Sequence, residues 1–196
     1  FGHFALTGLL LDSLINTPAA RVVTVSSGMH RLGKPSLAEI IAPEKHQKWA
    51  AYANSKLANL LFAYELQRRF EASNLDTLSL AAHPGYAATN LQTSGPAMEG
   101  NQVAIWFMKL ANQIFAQSAE MGALPILYAG TAEDVRGGDY IGPESEARGY
   151  PIKTKSSPTS HDPELARQLW DESIRLTGVA FASLARRQAQ MPEPVG

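Results

Sequence analysis

A short β-branched run, Arg21-Val22-Val23-Thr24-Val25-Ser26, predicts a buried strand. The segment from Trp49 to Glu71 is rich in Ala and Leu and contains neither Gly nor Pro, so it predicts a long helix. Residues Thr77 to Ala82 predict a second strand, which ends before Pro84-Gly85. A strand, a long helix and another strand in this order are typical of an α/β fold with a parallel sheet.

The rest of the chain continues this alternation. Further helices are predicted over Phe1–Asn16, Gln102–Ala116, Ala119–Ala129 and Asp162–Thr177, a third strand near Gly137–Gly142, an irregular stretch over Ser27–Lys48, and a frayed polar tail from Ala185. No linker or internal repeat is visible, so we expect one domain over residues 1–196. Three strands make a small sheet, so either partner strands lie upstream or one edge has no partner.

Composition narrows the classes of function. The 196 residues carry a formal net charge of −1, which gives no global attraction to nucleic acid or anionic lipid. The chain has no cysteine, which excludes disulfides, thiolate nucleophiles and cysteine-bound zinc. No stretch approaches the roughly 18–20 apolar residues of a membrane-spanning helix. We therefore expect a cytoplasmic protein with no metal site and no membrane segment in this chain.

Tyr52 and Lys56 lie four residues apart in the predicted helix, so they share one face. A phenol is a poor proton donor near neutral pH, and a nearby ammonium favours the phenolate and brings the phenol towards working pH. Such pairs are also common as a surface lysine beside a half-buried tyrosine. The order of the neighbouring segments favours a catalytic role for this pair. Ser27 follows the first strand, and Pro84-Gly85 and Thr89 follow the second.

Three segments carry a resemblance to a known family: the strand with Ser26-Ser27, Tyr52-Ala53-Asn54-Ser55-Lys56-Leu57-Ala58-Asn59, and His83-Pro84-Gly85-Tyr86-Ala87-Ala88-Thr89. They resemble the second half of a short-chain dehydrogenase/reductase. The long insert before Tyr52 and the opening Gly2-His3-Phe4 are similar to the retinol-dehydrogenase-like branch. The resemblance implies a doubly wound, Rossmann-type parallel sheet, of which this chain supplies the later strands.

The resemblance also implies roles for individual residues. Tyr52 is implied as the general acid and base, Ser27 as the donor to the substrate oxygen in preference to Ser26, and Lys56 as the partner of the phenol and of the nicotinamide ribose. The nicotinamide carboxamide is implied to bind at Pro84, Gly85, Ala87 and Thr89. NADP(H) is the favoured cofactor, NAD(H) is possible, and the substrate is a small, lipophilic carbonyl or alcohol. Residues Asn90–Gly100 fall where the family has its substrate loop, and association into a homo-oligomer is possible.

Several parts of the family pattern are missing from this sequence. They are the Gly-rich cofactor loop, the residue that separates NAD from NADP, and the Asn-Ala-Gly segment. We therefore expect the 196 residues alone to bind dinucleotide weakly and to turn over little. The alternative is a truncated, catalytically incompetent Rossmann-like module that acts as a binding or assembly partner.

Other residues give weaker functional signals. Ser26-Ser27-Gly28 lacks the flanking glycines of a hydrolase nucleophile elbow, and no helix follows it directly. His83 is interpreted as structural, and His30 either lines the substrate mouth or is also structural. The cluster Trp106-Phe107-Met108 is interpreted as core packing or as an apolar lid.

Overall fold

A computed structural model of the chain describes residues 1–42, 47–86 and 117–190. The described helices are α1 Gly2–Leu9, α2 Leu11–Ile15, α3 Leu37–Ile41, α4 Lys48–Ala72, α5 Ala119–Thr131, α6 Pro163–Thr177 and α7 Ala182–Gln190. The strands are β1 Arg21–Val25, β2 Leu78–Ala82, β3 Tyr140–Pro143 and β4 Pro151–Thr154, and two 3₁₀ helices span Gly28–Leu32 and Pro158–His161. The predicted helix Gln102–Ala116 lies outside the described residues.

The four described strands form one sheet in the order β1-β2-β3-β4. β1 pairs with β2 in parallel and β2 with β3 in parallel, while β4 joins β3 antiparallel. Parallel neighbours joined by a long crossover helix are the signature of an α/β sheet, so the predicted fold class is confirmed. The carboxyl ends of β1, β2 and β3 therefore lie along one edge of the sheet.

Helix α4 is the centre of the core. Its middle, from Leu60 to Gln67, is buried on every side. Its far end packs in an aromatic cluster in which Phe4 lies 4.9 Å from Trp170 and Phe62 stacks on Trp170 at 6.0 Å, measured between ring centroids. Helices α1 and α6 are thereby held against α4, and aromatic pairs of this kind are among the most stabilising contacts in a core.

Four predictions about elements need correction. The strand β4 was missed because it is short, begins with proline and has no alternation of apolar and polar residues. The stretch expected to be irregular contains α3 and a 3₁₀ helix. The helix predicted over Phe1–Asn16 is interrupted at Leu10, whose φ and ψ of −93° and 0° lie in the bridge region. The part of the tail that the structure describes, from Ala185 to Gln190, is helical, since Leu184 anchors α7 in the aromatic cluster.

Candidate active site

The carboxyl ends of β1 and β2 leave the sheet at the same level. Val25 lies opposite Ala82 in the parallel register, and the Ser26 amide extends the ladder by donating to the Ala82 carbonyl at 2.8 Å. The segments after the two strands, with Ser27 on one and Pro84 on the other, therefore start side by side. Ligands of parallel α/β sheets bind at this edge.

Two hydrogen bonds fix α4 over the end of β1. Asn59 Nδ2 donates to the Val25 carbonyl at 2.9 Å, and Ser26 Oγ donates to the Lys56 carbonyl at 2.9 Å. Both bonds come from polar side chains that would be costly to bury without a partner. The helical turn that carries Lys56 is therefore tied directly to the end of the strand.

Tyr52 and Lys56 face the same way on this turn. Lys56 Nζ lies 5.5 Å from the centroid of the Tyr52 ring, and both side chains are half-buried. Burial lowers the pKa of Lys56. Over the described ranges, no carboxylate lies within ion-pair distance of its ammonium. A partly desolvated ammonium without a carboxylate keeps its N–H donors for hydroxyl groups of a ligand.

The two serines at the end of β1 have different environments. Ser26 is 2% exposed, and its hydroxyl donates its proton in a hydrogen bond to the Lys56 carbonyl. Ser27 is half-buried, and its Oγ caps the first 3₁₀ helix by accepting a hydrogen bond from the Met29 amide at 3.3 Å. Within the described part of the chain, the Ser27 hydroxyl proton has no acceptor. Ser27 can therefore donate to a ligand, whereas Ser26 holds the scaffold.

The Pro84–Gly85 segment is pressed against the turn between β3 and β4. Gly85 has a φ of +67°, and a Cβ at this position would lie 2.4 Å from the Ala147 carbonyl oxygen. The Tyr86 amide donates to the same carbonyl at 2.7 Å. Only glycine fits a positive φ at so close an approach. Ala87 and Thr89, the other two predicted cofactor residues, lie outside the described residues, as do Asn90–Gly100 and Trp106-Phe107-Met108.

His30 is a structural residue, so its alternative placement at the substrate mouth is wrong. It is 1% exposed. Its Nδ1 lies 2.7 Å from the Ser27 carbonyl, and its Nε2 accepts from the Ser157 amide at 2.9 Å. These two partners assign the proton to Nδ1 and require a neutral ring. Burial lowers the pKa of His30, in keeping with that form.

A cavity of about 400 Å³ adjoins the site at Lys56. Its walls include His3, Phe62 and Trp170, and it lies between α1, α4 and α6. Neither Tyr52 nor Ser27 lines it. The cavity is therefore separate from the place where a substrate oxygen would meet these two hydroxyls.

Over the described ranges there is no group of three or more His, Asp or Glu side chains that could hold a metal ion. In the same ranges, no helix combines the length and apolar character needed to cross a bilayer.

The chain is similar to several dehydrogenases, although no family model matches it. Polyprenol dehydrogenase of Mus musculus is 37% identical over 187 residues, which cover 90% of this chain and 51% of that protein. Retinol dehydrogenase 13 of Homo sapiens is 33% identical over 195 residues, or 97% of this chain and 55% of that protein. An uncharacterized protein from Mycobacterium paratuberculosis has a solved structure with a TM-score of 0.69 and 37% identity, covering 92% of this chain and 57% of that one.

The predicted resemblance to the short-chain dehydrogenase/reductase superfamily is confirmed, since relatives at 31–37% identity over about 90% of this chain are members of it. The predicted likeness to its retinol-dehydrogenase-like branch is also confirmed, since the relatives include retinol dehydrogenases 11 to 14. The chain spans about half the length of the curated relatives it matches. In this dehydrogenase-like chain, Tyr52, Lys56, Ser27 and the Pro84–Gly85 segment all belong to elements that meet at the carboxyl edge of the sheet.

Two residues that shape this candidate site were missed from the sequence. Asn54 is 2% exposed. Its Oδ1 accepts a hydrogen bond from the Lys34 amide at 2.9 Å, and its Nδ2 donates to the Glu39 carbonyl at 2.7 Å. These bonds hold the insert that precedes α4. The usable signal in the sequence was an Asn in the interior of a predicted helix, a position that Asn disfavours. Gln117 contacts the Pro84 carbonyl. Nothing in its sequence context indicates that contact.

Proposed function

We propose that this chain carries the proton-transferring part of an NAD(P)-dependent oxidoreductase that interconverts an alcohol and a carbonyl compound. The observation that carries the proposal is the Tyr52–Lys56 pair, on a turn of α4 that Ser26 ties to the end of β1. The ammonium is partly desolvated and has no described carboxylate partner. Such a pair is suited to moving a proton near neutral pH.

In the direction of carbonyl reduction, the Tyr52 hydroxyl gives its proton to the substrate oxygen. The Ser27 hydroxyl donates a hydrogen bond to the same oxygen, where negative charge develops as the carbonyl is reduced. The Lys56 ammonium attracts the negative charge that remains on the Tyr52 oxygen. In the oxidising direction, Tyr52 takes the proton back.

The donor set at this edge fits a nicotinamide nucleotide. Lys56 offers N–H donors for the ribose hydroxyls, and the backbone of Pro84 and Gly85 offers groups for the carboxamide. Ala87 and Thr89, which lie outside the described residues, are proposed to bind the carboxamide as well. A bound NADP(H), or NAD(H), supplies the hydride acceptor or donor of the reaction. NADP(H) is the favoured form because of the likeness to the retinol-dehydrogenase branch.

The substrate is proposed to be lipophilic. The relatives at 37% and 33% identity are called polyprenol and retinol dehydrogenases, and both names denote long, apolar alcohols. Such a molecule would present its oxygen to Tyr52 and Ser27. Association into a homo-oligomer is proposed through α1, which exposes Leu6 and Leu9 by 60% and 74%.

The test is the substitution Tyr52→Phe in the full-length protein, which removes only the transferable proton. We expect turnover of a carbonyl panel with NADPH to fall by about 10²- to 10⁴-fold, the usual contribution of a general acid. NADPH affinity should stay close to that of the unsubstituted protein. Tyr150→Phe is the matched control, since Tyr150 is 70% exposed and lies on the turn before β4. Activity retained by Tyr52→Phe would rule out the assignment.

A specific observation also favours the alternative, a module that binds or assembles with another protein. In the described part of the chain, β1 pairs only with β2, which leaves its outer edge available to a further strand. Titration of the full-length protein with NADPH separates the two functions, because the 196 residues alone are expected to bind dinucleotide weakly under either of them. The module is expected to bind no NADPH and to form a stoichiometric complex with a partner chain, whereas tight NADPH binding would exclude a purely structural role.

A further inference from the structure

The peptide bond between Pro84 and Gly85 is held at both of its polar ends. Gln117 Nε2 donates to the Pro84 carbonyl at 2.7 Å, and the Gly85 amide donates to His83 Nδ1 at 3.3 Å. The C=O and N–H of a trans peptide point in opposite directions. Partners on both sides therefore fix the rotation of this peptide plane.

These two hydrogen bonds matter because glycine leaves the backbone at Gly85 unusually free to rotate. Glycine adopts positive and negative φ almost equally, so the peptide that precedes it can rotate at little steric cost. A side chain cannot supply the missing rigidity, since a Cβ at Gly85 would collide with the Ala147 carbonyl oxygen. Hydrogen bonds from neighbouring side chains are the remaining way to select one orientation.

Gln117 uses both ends of its side-chain amide in this role. It is 8% exposed. Its Oε1 accepts a hydrogen bond from the Gly149 amide at 3.1 Å, while its Nε2 donates to the Pro84 carbonyl. Its backbone amide also donates to the Tyr86 carbonyl at 2.9 Å. One side chain thus links the Pro84–Gly85 segment to the turn between β3 and β4. A donor and an acceptor are both needed, which a carboxylate or an alkyl group does not provide.

His83 is fixed just as firmly on the other side of the peptide. It is 3% exposed and its ring stacks on Tyr140 at 5.1 Å between centroids, with 30° between the planes. A Cβ at Gly142 would lie 2.1 Å from His83 Nε2, so the strand β3 closes over the ring. The acceptor Nδ1 therefore cannot swing away from the Gly85 amide.

We propose that Gln117 and His83 are positioning residues that fix the Pro84–Gly85 peptide plane for the nicotinamide carboxamide. The inference rests on the proposed function. A carboxamide presents one donor group and one acceptor, so it binds best to main-chain groups held in one orientation. Gln117 acts through Pro84 and does not itself touch the cofactor.

The test compares Gln117→Leu and Gln117→Glu with Gln67→Leu in the full-length protein. Gln67 is a matched control because it is 7% exposed and its Oε1 also accepts from a backbone amide, that of Ser79, at 2.8 Å. We expect the Kd and KM for NADPH to rise about three- to tenfold in both Gln117 variants, the range that loss of one hydrogen bond gives, with kcat changing less. Gln67→Leu should lower stability and leave NADPH affinity unchanged.

Amide hydrogen exchange gives a readout that does not depend on activity. In Gln117→Leu the Gly149 amide loses its acceptor and should exchange faster. In Gln117→Glu a carboxylate oxygen still accepts from Gly149 but nothing donates to Pro84, so this amide should stay protected while NADPH affinity falls. The second variant also keeps the test informative if the leucine variant does not fold.

The outcomes separate the inference from the proposed function. If the unsubstituted protein turns over, Tyr52→Phe does not, and both Gln117 variants keep normal NADPH affinity, the positioning role is overturned and the proposed function stands. An equal loss of affinity in Gln67→Leu would also overturn it, because the effect would then be general destabilisation. If the unsubstituted protein binds no NADPH, the proposed function fails and the inference fails with it.

Discussion

Ser26 and Ser27 are adjacent in sequence but have different partners. Ser26 Oγ is buried and bonds the Lys56 carbonyl, whereas Ser27 keeps a hydroxyl proton with no described acceptor. We expect Ser27→Ala to lower kcat about a hundredfold, because one donor to the developing negative charge is lost. Ser26→Ala should lower the free energy of unfolding by about 1–2 kcal/mol and affect kcat far less.

Steady-state kinetics and denaturant unfolding on the two variants check this pair of expectations. The reverse result, with Ser26→Ala the more damaging to kcat at equal folded fraction, would assign the donor role to Ser26.

His83 makes stability depend on pH. Burial, with a smaller contribution from His30, lowers the pKa of His83 to about 4 from an ordinary value of 6.5. Between these values the unfolded chain binds a proton that the folded chain does not, so stability is fully present above pH 6.5 and is lost as the pH falls towards 4. The loss for this group should be on the order of 3 kcal/mol.

Urea unfolding across this pH window measures the effect, and His83→Gln is the comparison. The variant should lose much less stability than the unsubstituted protein as the pH falls. Equal slopes for the two proteins would show that His83 does not titrate in this window.

At the scale of elements, α7 shows how much a helix near the end of the described chain contributes. Leu184 is 2% exposed and packs in the cluster with Phe181 and Trp170. Leu184→Ala should lower the free energy of unfolding by about 2–5 kcal/mol, the cost of a cavity in a core. Leu176→Ala on α6 is the control, since Leu176 is 45% exposed and should cost under about 1 kcal/mol. Equal costs in denaturant unfolding would contradict the packing of α7.

The elements also show what the sequence could predict. The strand β1, the helix α4 and the Asp162 cap of α6 follow from local signals: a β-branched run, a stretch without Gly or Pro, and an Asp-Pro pair. The strand β4 could not be predicted, because its pairing with β3 depends on contacts across a turn. In the same way, α7 is amphipathic and short, and its stability comes from packing against α1 and α4.

The candidate site likewise combines residues in local sequence motifs with contacts that only the tertiary fold decides. Tyr52, Lys56 and the Pro84–Gly85 segment could be proposed from the sequence because each is part of a local motif with a fixed spacing. The hydrogen bond from Gln117 to Pro84 joins residues 33 positions apart in the sequence, and the Arg31–Glu146 ion pair joins residues 115 positions apart. Contacts of this kind are decided by the tertiary fold, so no local pattern in the sequence indicates them.

At the scale of the whole molecule, the described sheet ends at β1 on one side and at β4 on the other. β4 is a short antiparallel strand with two exposed residues at its centre, which suits an edge. β1 has only half-buried and buried residues, which suits a strand covered by a neighbour.

The central claim is that Tyr52 and Lys56 control a hydride transfer, and isotope transfer tests it most directly. The full-length protein is incubated with a lipophilic aldehyde and NADPH that carries deuterium at the transferable position of nicotinamide C4, and the alcohol is examined by mass spectrometry. We predict one deuterium on the carbinol carbon with the unsubstituted protein and almost no labelled alcohol with Tyr52→Phe. Unlabelled alcohol from the unsubstituted protein, or equal labelling by the two proteins, would contradict the claim.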